Sequence, residues 1–460
     1  MRFPDPVTRQ IQGSNRSDSG SILIGVLWCV VLLAVIVIGL LHTSRLNLVV
    51  GKYHTDRLQA HYLAIAGIEK AKALLHQNAL QRSRSGLHHS AELLDAPGQF
   101  RDVALGRGKF RVFRAGRADE GGGIVYGVID EESRLNINSA ATTELTKLVG
   151  LTPDIAAAIV DWRDGDNTVT PLGAEAPYYA SLQPPYRPRN GPFPTIRELL
   201  MVRGISREQL FGEPLIPPPT LAPSMPFTPT AGEILSPEEN SDLLPEAGWA
   251  PWLTAFSSVA NIDASGNDRI NIQTAEVGAL TGVRGVTSEI ARAIVAYRGQ
   301  NQFQSVADLL DVTSTPPGGR GRPNNQPTGP KVINETLFRE IADHFSVDEG
   351  SSLPGVVNIN TATVEVLMCL PGLNRQLAQA VAAQRRAQGF FPNIAALLEV
   401  PGLSRDIFKQ LAPRVTARSE TFRILCEGRA GSTGTRQRIE AVVHVGLRSV
   451  TTLAYREDDL

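Results

Sequence analysis

Cysteine is scarce in this sequence, and its distribution excludes two classes of small-domain architecture. The 460 residues contain three cysteines, Cys29, Cys369 and Cys426, without a C-x-x-C pair or a Cys/His ligand spacing. Zinc modules and disulfide scaffolds need sets of cysteines at defined spacings, so neither is predicted. At most one disulfide is possible, between Cys369 and Cys426.

An excess of basic charge is also lacking. Forty-five Lys and Arg residues stand against 46 Asp and Glu residues, which leaves a formal net charge of −1. Neutralising a phosphate backbone normally requires a cationic excess, so bulk nucleic-acid binding is disfavoured. The sequence also lacks H-E-x-x-H, G-x-S-x-G and G-K-[ST] motifs. It therefore predicts no catalytic residue and no enzyme.

A long apolar run lies close to the N-terminus. Residues 21–41 contain no charged side chain, and a helix of this length spans about 31 Å, the thickness of a hydrocarbon core. This predicts a transmembrane helix. A cleaved secretory signal is the alternative, but its shorter apolar region and A-x-A-like site are absent. Apolar residues continue at three-to-four spacing beyond Arg45, which predicts an amphipathic extension to about Leu80.

A polar leader with a terminal glycine precedes the apolar run. Three arginines precede Gly20, and Ser21 follows it directly. This layout resembles the leader of type IV pilins and type II secretion pseudopilins, which implies that a prepilin peptidase cuts between Gly20 and Ser21. Most pilins carry Glu at the fifth mature position, where this chain has Gly25; the K-type minor pseudopilins characteristically lack that Glu. A plain signal anchor is the alternative.

Alternating residues predict strands at both ends of the soluble part. Residues 109–114 and 124–129 form one pair, and residues 422–427 and 438–445 form another. The simplest topology places both pairs in one antiparallel sheet against the N-terminal helix. The predicted fold class is α+β, a pilin-like helix on an antiparallel sheet with a large α-helical insertion.

The insertion contains three copies of an internal repeat. Each begins with a short motif of alternating polar and apolar residues, at 135–140, 270–275 and 357–362. A glycine follows the first Asn by 14 residues, and an arginine follows that glycine by 13. Identical spacing in three copies indicates a repeated structural unit. The glycines are Gly150, Gly285 and Gly372, and the arginines are Arg163, Arg298 and Arg385.

Each repeat is predicted to contain paired helix-hairpin-helix (SAM-like) units. Thr152, Thr287 and Asn374 stand where helix N-caps are expected, and second turns are predicted at Gly204 and Gly402. Glycine permits the tight turn, and its exposed amides can meet a phosphate. DNA-binding hairpins usually carry a second glycine where this chain has Thr or Asn. A scaffold that contacts proteins is therefore favoured over one that contacts DNA.

An acidic segment interrupts the first repeat. Its hard oxygen donors are Asp161, Asp164, Asp166, Asn167 and Glu175. Oxygen donors on an irregular loop suit calcium, whereas a solvated acidic loop is the alternative. The segment resembles the insert of GspK-type minor pseudopilins, some of which bind calcium there. The resemblance implies Asp164, Asp166 and Glu175 as the first ligands, with Asp161 capping the helix or facing solvent.

The length suggests about three modules at roughly 150 residues each. The predicted divisions are a leader (1–20), a transmembrane helix (21–41), an amphipathic helix and connection (42–98), pilin-like strands (99–134), repeat 1 with the acidic insert (135–212), a Pro-rich linker (213–252), repeat 2 (253–345), repeat 3 (346–416) and closing strands (417–460).

The resemblance to K-type minor pseudopilins extends over nearly the whole chain, although the third repeat exceeds the two expected. It implies a subunit at the tip of a type II secretion pseudopilus that helps to initiate assembly for protein export across the outer membrane. Expected partners are other minor pseudopilins, the pseudopilus, the prepilin peptidase and the inner membrane, with the soluble domain in the periplasm. Nucleic acid is not expected. The alternative is a membrane-anchored DNA receptor of competence type.

Overall fold

The computed structural model describes residues 19–117, 120–212, 248–314, 329–431 and 434–457. The predicted leader up to residue 18 and residues 213–247 of the predicted Pro-rich linker lie outside the described residues. So do residues 315–328, within the Pro/Gly-rich loop predicted for repeat 2.

One continuous helix forms the N-terminal part of the described chain. It runs from Ser19 to Ser85, five residues beyond the predicted end at Leu80. Its residues from 23 to 55 are exposed and mostly apolar, whereas one face is buried from Ala60 onward. This is the one helix among the described residues that is long and apolar enough to cross a membrane. The first half is thus left without protein contacts, and the second half packs on the rest of the molecule.

A six-stranded antiparallel sheet receives the second half of the helix. Its strands are Val103–Leu105, Gly108–Val112, Ile129–Asp130, Thr421–Ala430, Arg436–Val445 and Val450–Arg456. Strand Thr421–Ala430 lies centrally, between Gly108–Val112 and Arg436–Val445, and Ile129–Asp130 pairs with its first residues. Strands from both ends of the chain share this sheet, and the predicted α+β fold class is confirmed.

One predicted strand is interrupted. Residues 124–129 were expected to form a single strand, but Ile124–Val125 pairs with Arg114–Ala115 in a separate ribbon, and only Ile129–Asp130 joins the large sheet. Between them the backbone bonds to the segment that follows the helix, since the Val128 amide donates to the Leu93 carbonyl at 3.0 Å. That contact replaces the ladder bonds of a continuous strand.

Small residues bring the helix and the sheet close together. A Cβ atom at Gly67 would overlap the sulfur of Cys426, and one at Gly428 would overlap the carbonyl oxygen of Ala60. Helix residues such as Ile68 fill the remaining space over the sheet. Cys426 and Cys369 are both buried and unoxidised, so the disulfide that the sequence allows is not formed.

The helical region contains three repeats of the same kind. Repeat 1 contains α-helices Thr142–Leu145, Pro153–Arg163, Ala176–Ala180 and Arg207–Phe211 and the 3-10 helix Ile196–Met201. Repeat 2 contains Val277–Thr281, Ser288–Arg298, Glu335–Ile341 and the 3-10 helix Val306–Asp311. Repeat 3 contains Val364–Cys369, Arg375–Gln388, Arg405–Leu411 and the 3-10 helix Ile394–Glu399. The apolar residues of all three form one continuous core.

A short parallel strand pair closes every repeat. The pairs are Leu135–Asn136 with Leu253–Thr254, Ile270–Asn271 with Phe345–Ser346, and Val357–Asn358 with Val415–Thr416. The strand at 253–254, placed at the start of repeat 2 by the sequence, therefore completes repeat 1. This pairing was not predicted, because a two-residue strand has no periodicity to detect.

The recurring Asn and Arg residues hold each repeat together from within. In repeat 3 the Asn360 amide donates to the Phe391 carbonyl, and the Arg385 guanidinium donates to the carbonyls of Ile359 and Ala362 at 3.1 and 2.9 Å. Equivalent bonds recur in the other repeats, from Arg163 and Arg298. The identical spacings in the sequence thus reflect a packing requirement.

Three consecutive acidic residues join the sheet to the helical region. Asp130, Glu131 and Glu132 are almost fully buried. Glu131 pairs with Arg423 of the central strand at 2.8 Å and accepts a bond from Thr254 at the end of repeat 1. Each carboxylate thereby links a different segment of the chain to the same point.

Candidate metal centre

Three carboxylates of repeat 1 converge on one point. Asp161 lies in the last turn of helix Pro153–Arg163, Asp164 directly follows that helix, and Glu175 precedes helix Ala176–Ala180. One oxygen from each lies within 4.8 Å of the others. The acidic insert therefore folds back so that its later part meets the end of the helix from which it departs.

The cluster is enclosed and short of hydrogen-bond donors. Asp161 is 0% exposed and Glu175 is 1% exposed. Asp161 accepts bonds from the Thr170 amide at 3.2 Å. Both oxygens of Glu175 and Oδ1 of Asp164 are buried without a hydrogen-bond partner. Buried carboxylate oxygens normally have donors, so three oxygens of this set lack the partners that burial usually requires.

The environment disfavours ionisation of two of the three groups. Burial, followed by the charges of Asp161 and Asp164, raises the pKa of Glu175 above its usual value. Burial and the neighbouring Asp166 and Asp161 likewise raise the pKa of Asp164. A cation bound between these carboxylates would favour their ionised forms. It would replace the repulsion between the carboxylates by attraction to the ion.

Asp161 and Asp166 exchange the positions that the sequence predicted for them. The sequence predicted that Asp161 caps the helix or faces solvent. This prediction is wrong, because Asp161 is buried inside the cluster. Asp166 was expected among the first ligands, but it is exposed and its Oδ1 accepts a bond from the Thr168 amide at 2.6 Å. Asp164 and Glu175 both lie in the cluster, and their role as metal ligands stays a prediction.

A glycine determines how close the loop can come to Asp161. The side of Gly173 where a Cβ would stand is occupied by Oδ2 of Asp161. Behind the loop, Trp162 packs edge-on to Tyr179, with ring centroids 5.0 Å apart, and stacks on Phe193 at 6.4 Å. The insert is therefore anchored by aromatic packing on one side and held against the carboxylates on the other.

The donor set fits a hard divalent cation. It consists of carboxylate oxygens alone, on a loop and two helix ends, which is the ligand type that calcium prefers. In such a site Asp161, Asp164 and Glu175 would hold the ion, and the ion would neutralise them and join the insert to the helix. The sequence indicated this through the hard oxygen donors gathered in the acidic insert. The enclosure of Asp161 depends on Gly173 and was missed.

The hairpin turns have the predicted backbone conformation. Their glycines have φ angles between 73° and 92°, namely Gly150, Gly204, Gly285, Gly372 and Gly402. Thr287 and Asn374 cap their helices by accepting bonds from the third helical amide, as predicted. Thr152 does not, because its hydroxyl donates to Asp154 at 2.5 Å. Lys147, which belongs to repeat 1, covers the turn of repeat 3, because its ammonium donates to the carbonyls of Leu370 and Leu373.

The fold and this insert define a class of protein. The chain combines an exposed apolar helix, an extension of that helix packed on an antiparallel sheet, and a helical insertion between the strands. Together these define a pilin-like α+β fold with a helix-hairpin-helix insertion. A family described as a helix-hairpin-helix motif matches residues 265–317 and 355–416.

The family described as type II secretion system protein K matches residues 127–211, which contain the carboxylate cluster. The resemblance to K-type minor pseudopilins, drawn from the sequence, is thereby confirmed over these residues. A solved chain of the GspK–GspI–GspJ complex from enterotoxigenic Escherichia coli is similar at 11% identity and a TM-score of 0.42, over 87% of this chain and 97% of that chain.

Curated relatives match shorter parts. The endonuclease/exonuclease/phosphatase family domain-containing protein 1 of Mus musculus is 28% identical over 177 residues, 35% of this chain and 31% of the relative. ComE operon protein 1 of Bacillus subtilis is 32% identical over 89 residues, 19% of this chain and 43% of the relative. The chain thus spans less than half the length of either relative.

Proposed function

We propose that this chain is a minor pseudopilin that caps the tip of a type II secretion pseudopilus and helps to initiate its assembly for protein export across the outer membrane. The match of residues 127–211 to secretion protein K, within a helix-and-sheet frame, carries the proposal. The exposed apolar helix anchors the chain in the inner membrane by a single span, and the soluble domain lies in the periplasm.

Gly25 supports a position at the end of the filament. In a pilin filament, a Glu at the fifth mature position compensates the terminal amine of a neighbouring subunit. An unpaired charge in the hydrocarbon core costs several kcal/mol, so a subunit without this Glu is tolerated best where one axial neighbour is missing. The helical insertion also makes the head bulkier than a sheet alone, which favours a position that is not stacked.

The carboxylate cluster serves stability in this proposal. Calcium held by Asp161, Asp164 and Glu175 would fix the acidic insert on the surface of repeat 1. No catalytic role is proposed for the chain, because the family matched over residues 127–211 is described as a secretion system protein. The proposed partners are other minor pseudopilins, by analogy with the complex named for the similar solved chain.

A DNA receptor of competence type is the second candidate. The helix-hairpin-helix match and the similarity to ComE operon protein 1 favour it. Two observations oppose it. The side chains of Thr287 and Asn374 accept hydrogen bonds from backbone amides at the N-termini of their helices. Lys147 donates to a carbonyl of the hairpin in repeat 3. Fluorescence anisotropy with duplex DNA separates the two: the pseudopilin proposal expects no binding at physiological salt, and submicromolar binding would favour the receptor.

Processing of the N-terminus tests the proposal. Mass spectrometry of the membrane protein, coexpressed with a prepilin peptidase, is expected to show Ser21 as the first residue. Gly20→Glu is expected to block cleavage, because the peptidase needs a small residue there. An intact leader in the unaltered protein, or a cut beyond residue 41, would contradict the pilin assignment.

A further inference from the structure

Repeats 2 and 3 pack on each other through corresponding residues. Phe338 is the fourth residue of helix Glu335–Ile341, and Phe408 is the fourth residue of helix Arg405–Leu411. The two rings are fully buried and meet edge-on, with centroids 5.9 Å apart. Each repeat thus contributes the same surface to the contact, as subunits do in an isologous interface.

Two ion pairs have the same reciprocity. Arg339 of repeat 2 pairs with Glu399 of repeat 3, and the corresponding Lys409 of repeat 3 pairs with Asp311 of repeat 2. Asp311 and Glu399 are the last residues of the 3-10 helices in their repeats. The shared surface is therefore formed by the 3-10 helix of a repeat and the α-helix that follows it.

Repeat 1 contains the same two elements, but their outer side is exposed. These elements are Ile196–Met201 and Arg207–Phe211. Leu200 is 39% exposed, whereas Leu310, at the same position of the 3-10 helix in repeat 2, is 1% exposed. The surface that is buried between repeats 2 and 3 is thus left open in repeat 1.

This surface of repeat 1 is more apolar than its counterparts. Met201, which is 43% exposed, stands where the other repeats have Asp311 and Glu399. Phe211 stands at the position of Arg339 and Lys409. The surface, hereafter the open face, consists of Arg197, Leu200, Met201, Arg207 and Phe211.

Two arginines of the open face lack carboxylate partners among the described residues. Arg197 and Arg207 are exposed and form no ion pair there, and the Arg197 guanidinium lies over the Phe211 ring at 5.5 Å. Glu198, in the same 3-10 helix, pairs with Arg189 instead. The open face therefore combines apolar side chains with guanidinium donors that are free to bind carboxylates.

The chain itself contains a complementary stretch that begins and ends beside the open face. Residues 213–247, outside the described part, connect Gly212 to Gly248. These two glycines touch, since a Cβ atom at Gly248 would overlap the amide nitrogen of Gly212. Within the connection, residues 238–246 contain four carboxylates, the adjacent Leu243 and Leu244, and no Lys or Arg.

The connection is long enough for this stretch to reach the open face. Gly212 directly follows Phe211, and Leu244 is four residues before Gly248. Four residues span up to about 14 Å. We propose that residues 238–246 bind the open face, with Leu243 and Leu244 on its apolar side chains and their carboxylates on Arg197 and Arg207. The short tether favours this binding, because it supplies a millimolar effective concentration. The inference does not rest on the proposed role in secretion.

Oxidation of Met201 tests the proposal on the purified full chain. Hydrogen peroxide converts accessible Met to its sulfoxide, and mass spectrometry measures the rate at each Met. In the double variant Leu243→Ser and Leu244→Ser, Met201 is expected to oxidise at least about threefold faster, because a tethered stretch occupies its site most of the time. Equal rates at Met201 in the variant and the unaltered chain would overturn the proposal.

Two controls separate docking from unfolding. Met368, half-buried in repeat 3, is expected to oxidise at the same rate in every variant. The double variant Leu215→Ser and Leu221→Ser changes the same connection outside residues 238–246 and is expected to keep Met201 protected. If this second pair exposed Met201 and the first pair did not, residues 238–246 would be rejected as the bound stretch.

The ionic contribution has its own test. Arg197→Glu is expected to raise the oxidation rate of Met201, because it places a negative charge opposite the carboxylates. Arg292→Glu, an exposed arginine of helix Ser288–Arg298, is expected to leave the rate unchanged. Equal rates in Arg197→Glu and the unaltered chain would contradict the pairing with residues 238–246.

Protein concentration distinguishes a second copy of the chain from a segment of the same chain. Binding within one chain does not change on dilution, so the protection of Met201 is expected to be independent of concentration. Protection that disappears on dilution would assign the open face to a second copy and overturn the proposal.

Discussion

Gly173 lies so close to Asp161 that its missing side chain is a condition of the carboxylate cluster. A Cβ atom at residue 173 would overlap Oδ2 of Asp161. This contact holds the acidic insert against the end of helix Pro153–Arg163 and keeps Asp161 within reach of Asp164 and Glu175.

Gly173→Ala is therefore expected to displace the Asp161 carboxylate and abolish stabilisation by calcium. The measurement is the difference between melting temperatures with calcium and with chelator. Gly165→Ala, in the same insert but with no atom within 4 Å of the added Cβ, is the matched control and is expected to keep the difference. A full calcium effect in Gly173→Ala would show that Asp161 is not a ligand.

Glu175→Gln is expected to have opposite effects with and without calcium. Without the ion, the variant is expected to melt higher than the unaltered chain, because it removes a buried charge whose pKa is raised. With the ion at a hundredfold excess over its Kd, the unaltered chain gains about 2.7 kcal/mol and the variant does not.

Asp166→Ala serves as the comparison, and it is expected to keep most of the gain, since Asp166 lies outside the cluster. If Asp166→Ala lost the gain, the ligand set derived from the sequence, which contains Asp166 in place of Asp161, would replace the one derived from the structure. If Glu175→Gln kept the gain, both sets would be contradicted, because both contain Glu175. Isothermal titration with calcium provides the same test without heating.

The calcium gain is expected to shrink on acidification. Asp164 and Glu175 have raised pKa values in the ion-free fold, and protons therefore compete with the ion in the mildly acidic range. The ion-free chain loses stability as pH rises through these groups, because the folded state holds their protons more tightly than the unfolded chain. A calcium gain that is constant between pH 7 and pH 4 would argue against carboxylate ligands.

Arg385 is expected to matter far more than its neighbour Arg386. Arg385→Ala removes two bonds to the carbonyls of Ile359 and Ala362 and is expected to cost about 2–4 kcal/mol of unfolding free energy. Arg386→Ala, one residue further on the same helix, is expected to cost less than about 1 kcal/mol, because Arg386 donates to the Ala382 carbonyl of its own helix. Urea unfolding of both variants measures the difference.

Glu131 makes the junction between sheet and repeats sensitive to strong acid. Burial would raise its pKa, but the charges of Arg423 and Arg134 outweigh burial and lower it to about 2. Because the folded pKa is below the unfolded one, the stabilisation is present above about pH 4.5 and is lost as pH falls toward 2. Glu131→Gln is expected to cost about 3 kcal/mol at pH 7 and to remove this acid dependence. Exposed Glu349→Gln is the control.

The sequence predicted the features that have a period or a spacing. The apolar run, the alternating strands at both ends and the three repeats are visible without structure, because each repeats a chemical pattern along the chain. The structural role of Arg163 and Arg385 was not predictable, because both donate hydrogen bonds to backbone carbonyls of other segments. The role of Asp130 to Glu132 was missed because the donors to these carboxylates lie in segments far away in sequence.

The candidate metal centre was predicted in composition but not in membership. Four acidic residues close in sequence indicate a site for a hard cation. The sequence of an irregular loop has no periodicity, however, that would show which of its side chains are buried. Here Gly173 and the packing of Trp162 turn the loop so that Asp161 is enclosed and Asp166 is exposed. Both depend on contacts across the insert.

The position of the subunit in the filament tests the central claim most directly. A gold label on the soluble domain, viewed by electron microscopy on purified pseudopili, is expected at one end of each filament and in one copy. Deleting the gene is expected to reduce both filament initiation and secretion. Labels at regular intervals along the filaments would contradict the account, because they would make this chain a repeated subunit rather than a cap.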